Sequence, residues 1–392
     1  MSSDRQDIIL LSTADWDNPF WTNKQHVAAE LAELNHKVLY IDSLGLRQPG
    51  INKSDIYRIL LRLIKGMRFP KKVRKNLWIW SPIVIPFQKY FLVRIINKTI
   101  LYLLSSAYAS MLGMRNPLLW TYNPMTLDLF AVKAKTRAIY HCVDEIKEQP
   151  GMPAREIEAA EYRLLKRADY VFVTSNKLYE TRKQLNHKTF FLPNVADYEH
   201  FSKARDEKTI IPEEMLSLRE PVIGFVGAIS GYKVDFNLIE YIAINCPHWS
   251  IVLIGKVGEG EPGTKLEQLE KQQNIVFLGP KKYADLPAYI KAFDVAIIPS
   301  ALNGYTHAMF PMKFFEYLAA GKQIVSTNID ALQAYSSVAY LAKNYDDFIQ
   351  GIKTVLSSNP GNIDERIALA SANTYKERTI KMLEIIQNES GE

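Results

Sequence analysis

Short runs of apolar residues alternate with longer amphipathic stretches along the 392 residues of this chain. Continuous apolar runs are typical of strands in a parallel sheet that helices cover on both faces, and a period of 3.6 residues between them indicates those helices. The pattern therefore predicts an α/β fold with two Rossmann-like parallel sheets. The predicted strands are residues 8–12, 37–41, 118–121, 138–141, 170–174, 189–192, 222–226, 250–254, 275–278, 295–298 and 323–327.

Two domains are expected from where this alternation weakens. Residues 1–200 would form the first domain and residues 215–358 the second, with the polar stretch 196–220 as the linker and a helical tail at 359–392. Ligands bind at the carboxyl ends of strands in such sheets, so we expect one cleft between the domains. The chain has no Gly-x-Gly-x-x-Gly after the first strand and no Walker loop, which argues against dinucleotide oxidoreductases and P-loop kinases.

Composition is that of a soluble globular protein, with 47% apolar and 23% charged residues. No run of 18 apolar residues occurs, so no membrane span is expected, and the polar N-terminus predicts a cytoplasmic protein without a signal peptide. Cys142 and Cys246 lack metal-ligand spacing. We expect buried thiols, no metal site and no cofactor.

One segment carries all of the excess positive charge of the chain. Residues 51–115 contain 13 Lys and Arg against one acidic residue, Asp55, whereas the whole chain has a net charge of +6. A cationic helix with a wide apolar face, as predicted from Asp55 to Arg68, is typical of anionic membrane surfaces. We therefore predict a basic amphipathic insertion at 51–115 that contacts the inner face of the cell membrane peripherally. Its membrane or acceptor residues would be Arg58, Arg62, Lys65, Arg68, Lys71, Lys72, Arg74 and Lys75.

The second cationic helix of this segment, from Phe91 to Leu104, has a plainer interpretation. We favour ordinary packing on the sheet, with Arg94 and Lys98 facing water. The cations could instead bind nucleic-acid phosphates. A two-domain cleft fits that function poorly, so no nucleic-acid partner is expected.

The most specific pattern is the short helix predicted within residues 311–322. Pro311 suits the first turn of a helix and Gly321 the position just beyond its end. Lys313 and Glu316 then share one face, where the lysine could neutralise a phosphate and the carboxylate could accept hydrogen bonds from ribose hydroxyls. An ordinary surface ion pair is the alternative.

This segment resembles the donor-binding motif of GT-B glycosyltransferases, especially the family 4-like type (glycosyl transferases group 1). There, a proline-lysine-glutamate helix ends in a small residue and a glycine before a buried strand. The resemblance is clearest from Pro221 to Thr327. It implies two Rossmann-like domains facing a central cleft, acceptor binding by the first domain, a nucleotide-diphosphate sugar as co-substrate and a last helix that crosses back to the first domain.

On this resemblance, Glu316 would bind the ribose, and Lys313 and Lys233 would neutralise the diphosphate without a metal ion. Gly227 would allow close approach of the backbone to the ligand. The further donor-site candidates are Tyr283, Asn303, Thr306 and His307. A surface lysine in a turn is the alternative for Lys233, and a polar surface loop is the alternative for Asn303, Thr306 and His307.

One departure from the motif concerns stereochemistry. Many retaining members have a second glutamate eight positions before the helix glutamate, and Ala308 stands there in this chain. A retaining outcome is therefore not assumed.

Transfer to an acceptor hydroxyl needs a base. Asp144, just after the strand at 138–141, is the first candidate, and a cap or loop carboxylate is its alternative. His141 is the second, because its ordinary pKa suits proton transfer. Asp17 is a third, although turn chemistry also explains Asp-Asn-Pro.

The predicted function is hexosyl transfer to a glycan acceptor in surface polysaccharide biosynthesis, with the acceptor expected to be lipid-linked at the cytoplasmic membrane face. A non-catalytic protein of the same fold, which binds nucleotide sugars or assists membrane assembly, is the alternative.

Overall fold

The computed structural model describes residues 5–44, 69–82, 84–85, 91–357 and 363–388. They form an α/β protein with two sheets. The first four cations of the predicted membrane segment lie outside the described residues; these are Arg58, Arg62, Lys65 and Arg68.

The first sheet contains eight of the described strands. They are β1 (Ile8–Leu11), β2 (Val38–Ile41), β3 (Lys71–Arg74), β4 (Leu77–Trp80), β5 (Leu118–Thr121), β6 (Ala138–Cys142), β7 (Tyr170–Val173) and β8 (Thr189–Phe191). Their order across the sheet is β3-β4-β2-β1-β5-β6-β7-β8. Neighbours are parallel except for β3 and β4, which are antiparallel.

The second sheet contains six described strands, all parallel, in the order β11-β10-β9-β12-β13-β14. They are β9 (Val222–Val226), β10 (Ser250–Ile254), β11 (Ile275–Gly279), β12 (Val295–Ile298), β13 (Ile324–Thr327) and β14 (Tyr340–Ala342). Because β9, β10 and β12 are buried at every position, their sequences are continuously apolar.

Helices cover both sheets. Those of the first half are α1 (Asn23–Glu33), α2 (Phe91–Met111), α3 (Thr126–Leu129), α4 (Ala154–Arg167) and α5 (Asn176–Arg182). Those that follow are α6 (Tyr198–Phe201), α7 (Glu213–Leu216), α8 (Phe236–Asn245), α9 (Glu267–Glu270), α10 (Leu286–Lys291), α11 (Gly304–His307), α12 (Lys313–Ala319), α13 (Tyr345–Ser357), α14 (Ile363–Ala372) and α15 (Tyr375–Asn388).

The strands predicted from the apolar runs are confirmed, each to within one residue at either end. The pattern does not predict β3, β4 or β14. β3 has one apolar residue among three cations, a composition that an edge strand tolerates because its outer side faces water. The described part of segment 51–115 is therefore not an insertion throughout, because it supplies two strands and α2 to the first domain.

The helix α2 exposes a different face from the expected one. Lys98 donates its ammonium group to the carbonyl of Leu127 at 2.6 Å. The water-facing side is instead apolar, with Leu92 70% and Leu103 58% exposed. The expectation that Lys98 would face water was wrong, because the buried side of the helix is built around Asn97, Leu101 and small or polar residues.

The stretch expected as a linker packs against the second sheet. Phe201, Ala204 and Met215 are buried in the same cluster as residues of α12. Arg205 also donates its Nε to the carbonyl of Ala319 at 2.9 Å. These isolated apolar residues lie in short helical turns, so they leave no clear periodicity in the sequence.

The last helix, α15, lies on the first domain. Tyr375, Met382 and Ile386 are buried in one cluster with Val27 and Leu31 of α1. None of the helices in the described ranges is long and apolar enough to cross a membrane.

Candidate active site

A cleft of about 250 Å³ lies between the two sheets. The first half contributes the start of α1 and the loop after β6, and the second half contributes the loops after β9 and β10 together with α12. Two contacts join the halves beside it. Ser175 donates its hydroxyl to the carbonyl of Ala308 at 2.7 Å, and Asn194 donates its amide to the carbonyl of Phe310 at 2.6 Å.

The helix α12 brings Lys313 and Glu316 to the floor of the cleft. It begins two residues after Pro311 and is followed by Gly321 at φ +75°, as its sequence predicts. Tyr317 fixes it to the sheet by accepting the Val226 N–H at 2.8 Å. The motif side chains are therefore held against the end of β9.

Burial controls the charges of this pair. It lowers the pKa of Lys313 and raises the pKa of Glu316, and each residue's charge opposes the other's shift. The Nζ of Lys313 also lies 5.1 Å from the centre of the Phe225 ring. The ammonium group therefore lies between an aromatic face and the charge of Glu316.

Glycines at two strand ends make room for Lys313. Gly227 has φ +153°, and a Cβ there would lie 3.1 Å from the lysine Cε. Gly255 has φ +154°, and a Cβ there would lie 1.8 Å from the carbonyl oxygen of Gly227. The loop after β9 can hold this course only because both positions are glycine.

The charged side chains follow one another along the cleft. The Glu316 charge acts on Tyr283 and Lys313, Lys233 acts on both Lys313 and Lys24, and Asp144 acts on Lys24. Lys233 also places its Nζ 6.0 Å from the centre of the Tyr305 ring, and Tyr305 binds Asp144, so Lys233 lies between the α12 pair and Asp144.

Asp144 faces the cleft from the loop after β6, with its side chain 25% exposed. Across the cleft, Tyr305 of α11 donates its hydroxyl to Oδ1 of Asp144 at 3.2 Å. Lys24, in the first turn of α1, places its Nζ 4.0 Å from Oδ2. The carboxylate is therefore reachable and lies between a phenol and an ammonium group.

A buried ion cluster supports this loop. Both terminal nitrogens of Arg182 bind Glu145 at 2.6 and 2.7 Å, and one of them also binds Glu161 at 2.9 and 3.0 Å. Tyr140 donates its hydroxyl to Glu161 at 2.7 Å. Because Glu145 follows Asp144 directly, the cluster fixes the backbone that carries the candidate base.

The structure does not place His141 in the cleft, so its assignment as a base was wrong. β6 continues to Cys142, and His141 is a fully buried strand residue stacked on Tyr122 with ring centres 4.7 Å apart. Both ring nitrogens lack partners among the described residues. Burial lowers the pKa of this histidine well below its usual range.

Asp17 is also misplaced for proton transfer. It is an exposed turn residue outside the lining of the cleft. The buried carboxylate nearby is Asp42, which accepts the Trp16 N–H at 2.8 Å and the Ser81 hydroxyl. Burial, reinforced by the charges of Asp15 and Asp17, raises the pKa of Asp42 to about 6.

Three of the donor-site candidates belong to α11 or to its cap and do not line the cleft. Asn303 caps this helix by accepting the N–H groups of Tyr305 and Thr306 at 3.0 and 3.1 Å. Thr306 is fully buried and completes the capping box. His307 lies 3.5 Å from Asp330, outside the cleft lining. Capping accounts for the polar residues of this loop.

The remaining candidates lie where a donor would bind. Lys233, Gly227 and Tyr283 all line the cleft. Tyr283 stacks on His200 with ring centres 4.3 Å apart, and burial, with the nearby charge of Glu316, raises its pKa. Within the part of the chain that is described, no group of three or more His, Cys, Asp or Glu side chains is arranged to hold a metal ion.

Sequence reasoning missed Lys24, Tyr305 and Arg182. A lysine in the first turn of a helix that follows the first strand is a usable signal for Lys24, since that position points to the cleft in such folds. Tyr305 and Arg182 leave no local signal, because each acts through a partner that is distant in sequence.

Comparison with known proteins gives the fold and a family match for the second domain. Residues 220–358 match the family model described as glycosyl transferases group 1. A Bacillus subtilis protein named as a teichuronic acid biosynthesis glycosyltransferase, TuaH, is 31% identical over 212 residues. That match covers 52% of this chain and 52% of the relative, so the chain matches only about half the length of this curated protein.

Solved structures share the fold across the whole chain. Sucrose-phosphate synthase from Thermosynechococcus elongatus has a TM-score of 0.69 at 16% identity and covers 99% of this chain and 100% of its own. Anabaena HepE, solved in complex with UDP and glucose, has a TM-score of 0.66 at 15% identity, with 98% and 100% covered. The chain is therefore a GT-B fold protein whose residues 220–358 are of the glycosyl transferases group 1 type.

Proposed function

We propose that this protein transfers a hexosyl group from a nucleotide-diphosphate sugar to a glycan acceptor in surface polysaccharide biosynthesis. The observation that carries the proposal is that Lys313 and Glu316 line the same cleft as Asp144, which lies on the first domain. The family match of the second domain and the name of the Bacillus relative support it.

Each charged group has one task in this reaction. Glu316 accepts hydrogen bonds from the ribose hydroxyls, and Lys313 and Lys233 neutralise the diphosphate as it leaves. Positive side chains placed in a low-dielectric cleft stabilise the developing charge strongly, so the residues present are suited to a reaction without a metal ion. Asp144 accepts the proton of the acceptor hydroxyl. The hydrogen bond from Tyr305 holds the Asp144 carboxylate in place for this step.

The acceptor is proposed to be lipid-linked and presented at the cytoplasmic face of a membrane. The support is the apolar side of α2, where Leu92, Ile96, Ile100, Leu103 and Met111 repeat at helical spacing and are all exposed. A continuous exposed apolar face is unusual for a monomer and marks an interaction surface.

Cations beside this face indicate that the partner surface is anionic. Phe69 is 71% exposed and touches Tyr108 of α2, with ring centres 6.0 Å apart. The exposed cations of this hairpin follow directly; they are Lys71, Lys72, Arg74 and Lys75. Of these, Lys72 lies over the Trp78 ring at 5.9 Å, on the side of the sheet that α2 covers, whereas Arg74 lies over Trp21 at 5.4 Å, on the α1 side. Apolar side chains flanked by lysine and arginine suit the boundary of an anionic bilayer, where each cation adds about 1 kcal/mol.

Donor binding is the first test. In a thermal-shift panel, nucleoside diphosphates and nucleotide sugars should raise the Tm of the wild type by mass action. The Glu316→Gln variant should bind the same compounds about 10- to 100-fold more weakly, because it loses charge-assisted hydrogen bonds to the ribose worth about 1.5–3 kcal/mol. Transfer to lipid-linked acceptors, followed with a radiolabelled donor, should fall at least as far.

The matched control is Glu267→Gln, an exposed glutamate of α9 outside the cleft lining. It should leave affinity and transfer unchanged. Equal affinity in the Glu316 variant would refute the ribose contact. Tight donor binding with no transfer to any glycan acceptor would instead favour the non-catalytic alternative.

Membrane contact is tested by liposome flotation. The double variant Ile96→Glu with Leu103→Glu should reduce flotation with phosphatidylglycerol vesicles at least about tenfold, since burial of each side chain contributes about 1.5–3 kcal/mol. The control pair, Ile210→Glu with Ile244→Glu, changes the same charge at exposed apolar residues elsewhere. Equal flotation of both pairs, or of the wild type with neutral phosphatidylcholine vesicles, would contradict the membrane surface.

A further inference from the structure

Lys24 is a buried lysine that the roles above leave unused. It follows the capped start of α1, and its side chain is only 10% exposed although it lines the cleft. Its one charged partner is Asp144 at 4.0 Å, and among the described residues its ammonium group donates no hydrogen bond. A desolvated ammonium group with so little compensation is costly, so this end of the cleft is incomplete without an anion.

The position of Lys24 in the cleft indicates which part of a bound donor could carry that anion. The proposed ribose contact Glu316 and the diphosphate cation Lys313 both lie on α12. The second diphosphate cation, Lys233, lies between Lys313 and Lys24, since its charge acts on both lysines. Lys24 is the lysine that pairs with Asp144. Asp144 marks the place where the acceptor hydroxyl meets the anomeric carbon. Lys24 therefore lies beside the sugar ring, where a neutral hexose offers only hydroxyl groups.

We propose that Lys24 binds a carboxylate on the donor sugar, so that the donor is a nucleotide-activated hexuronic acid. The inference rests on the proposed function, because it assumes a nucleotide sugar in this cleft. Two cations already face the diphosphate, and a uronate carboxylate is the anion that a third cation at the sugar end can pair with.

The reaction itself gives this carboxylate a second use. Asp144 takes the proton of the acceptor hydroxyl, the hydroxyl oxygen bonds to the anomeric carbon, and the bond from that carbon to the β-phosphate oxygen breaks with its electron pair leaving on the diphosphate. Once Asp144 is protonated, Lys24 loses the one charged partner that the described residues give it. A carboxylate on the transferred sugar keeps the lysine paired through the transfer.

The test compares matched donors by titration calorimetry: UDP, UDP-glucose and UDP-glucuronate, and also GDP, GDP-mannose and GDP-mannuronate. On the nucleotide that binds, the wild type should prefer the uronic sugar at least about tenfold, the effect of one charge-assisted contact. Lys24→Met should abolish that preference and leave affinity for the bare diphosphate within about twofold. Lys24→Arg should restore the preference, and Lys353→Met, at an exposed position of α13, should not change it.

Other outcomes overturn the inference. A wild type without uronate preference contradicts it directly. A Lys24→Met variant that binds the bare diphosphate, the neutral sugar and the uronic sugar all more weakly by one factor would show that the lysine contacts phosphate. Failure of the wild type to bind any of the six compounds would contradict the proposed function as well, so the two failures are distinguishable.

Discussion

Replacement of Arg182 by methionine is expected to destabilise the protein by about 3–5 kcal/mol. The guanidinium group is buried and binds two buried carboxylates, Glu145 and Glu161. Removal of the arginine leaves two negative charges with no cation in a low-dielectric setting, and this loss is much larger than the net value of the intact cluster. Urea unfolding followed by circular dichroism should show the change as a lower midpoint at constant slope.

Arg163→Met is the matched control. Arg163 also binds a carboxylate with one terminal nitrogen, at 2.7 and 2.8 Å from Asp128, but its side chain is 50% exposed. Exposed pairs contribute about 0–1 kcal/mol, so this variant should unfold close to the wild type. A loss in Arg182→Met no larger than in Arg163→Met would show that the buried cluster does not hold the loop.

The cluster also links stability to the candidate base. Thr174 donates its hydroxyl to the carbonyl of Val143 at 2.9 Å, and Arg182 holds Glu145, so the residues on both sides of Asp144 are fixed. At a temperature where Arg182→Met is still folded, transfer activity should fall through kcat more than through KM, because donor contacts lie on the other domain.

The sheets and the donor helix could be predicted because their information is local. The central strands, such as β1, β5 and β9, are buried along their length, so their apolar runs are nearly continuous. The helix of Lys313 and Glu316 has proline before it and glycine after it, and those residues act on the backbone next to them. Such features are visible in one sequence without knowledge of the fold.

The residues that sequence reasoning missed depend on distant partners. Arg182 meets Glu145 and Glu161 across 37 and 21 residues of chain, and Tyr305 meets Asp144 across 161. No spacing rule relates such pairs. His141 was misjudged for a different reason: the strand predicted to end at His141 continues to Cys142, which keeps the histidine inside the sheet instead of at its carboxyl end.

The exposed face of α2 shows a further limit. A helix with apolar residues on most of its surface does not reveal from sequence which side packs on the sheet. Asn97 decides it here, since its side chain bonds both the N–H and the carbonyl of Ile85, at 2.8 and 2.9 Å. A buried amide thus fixes the orientation and leaves Leu92 and Leu103 in water.

Replacement of Gly255 by alanine is expected to destabilise the second domain by about 2–4 kcal/mol and to abolish donor binding. Its Cβ would lie 1.8 Å from the Gly227 carbonyl oxygen, which is backbone and cannot rotate away. Overpacking of this kind costs about 1–3 kcal/mol, and φ +154° adds about 1 kcal/mol of strain for a residue with a side chain. The loop after β9 must move to relieve the clash, and Lys313 packs directly over it.

Gly279→Ala separates this clash from simple backbone strain. Gly279 ends the neighbouring strand at φ +65°, and nothing lies within 4 Å of an added Cβ. Its carbonyl accepts the Gly255 N–H at 3.0 Å, a bond that alanine preserves. This variant should lose only about 1 kcal/mol, the ordinary penalty for a left-handed residue, and should still bind the donor. If the two variants have the same stability and the same donor affinity, the close approach of Gly255 to Gly227 does not shape the donor site. If only Gly255→Ala loses donor binding, the backbone of these two loops is as essential to donor binding as the side chains of Lys313 and Glu316.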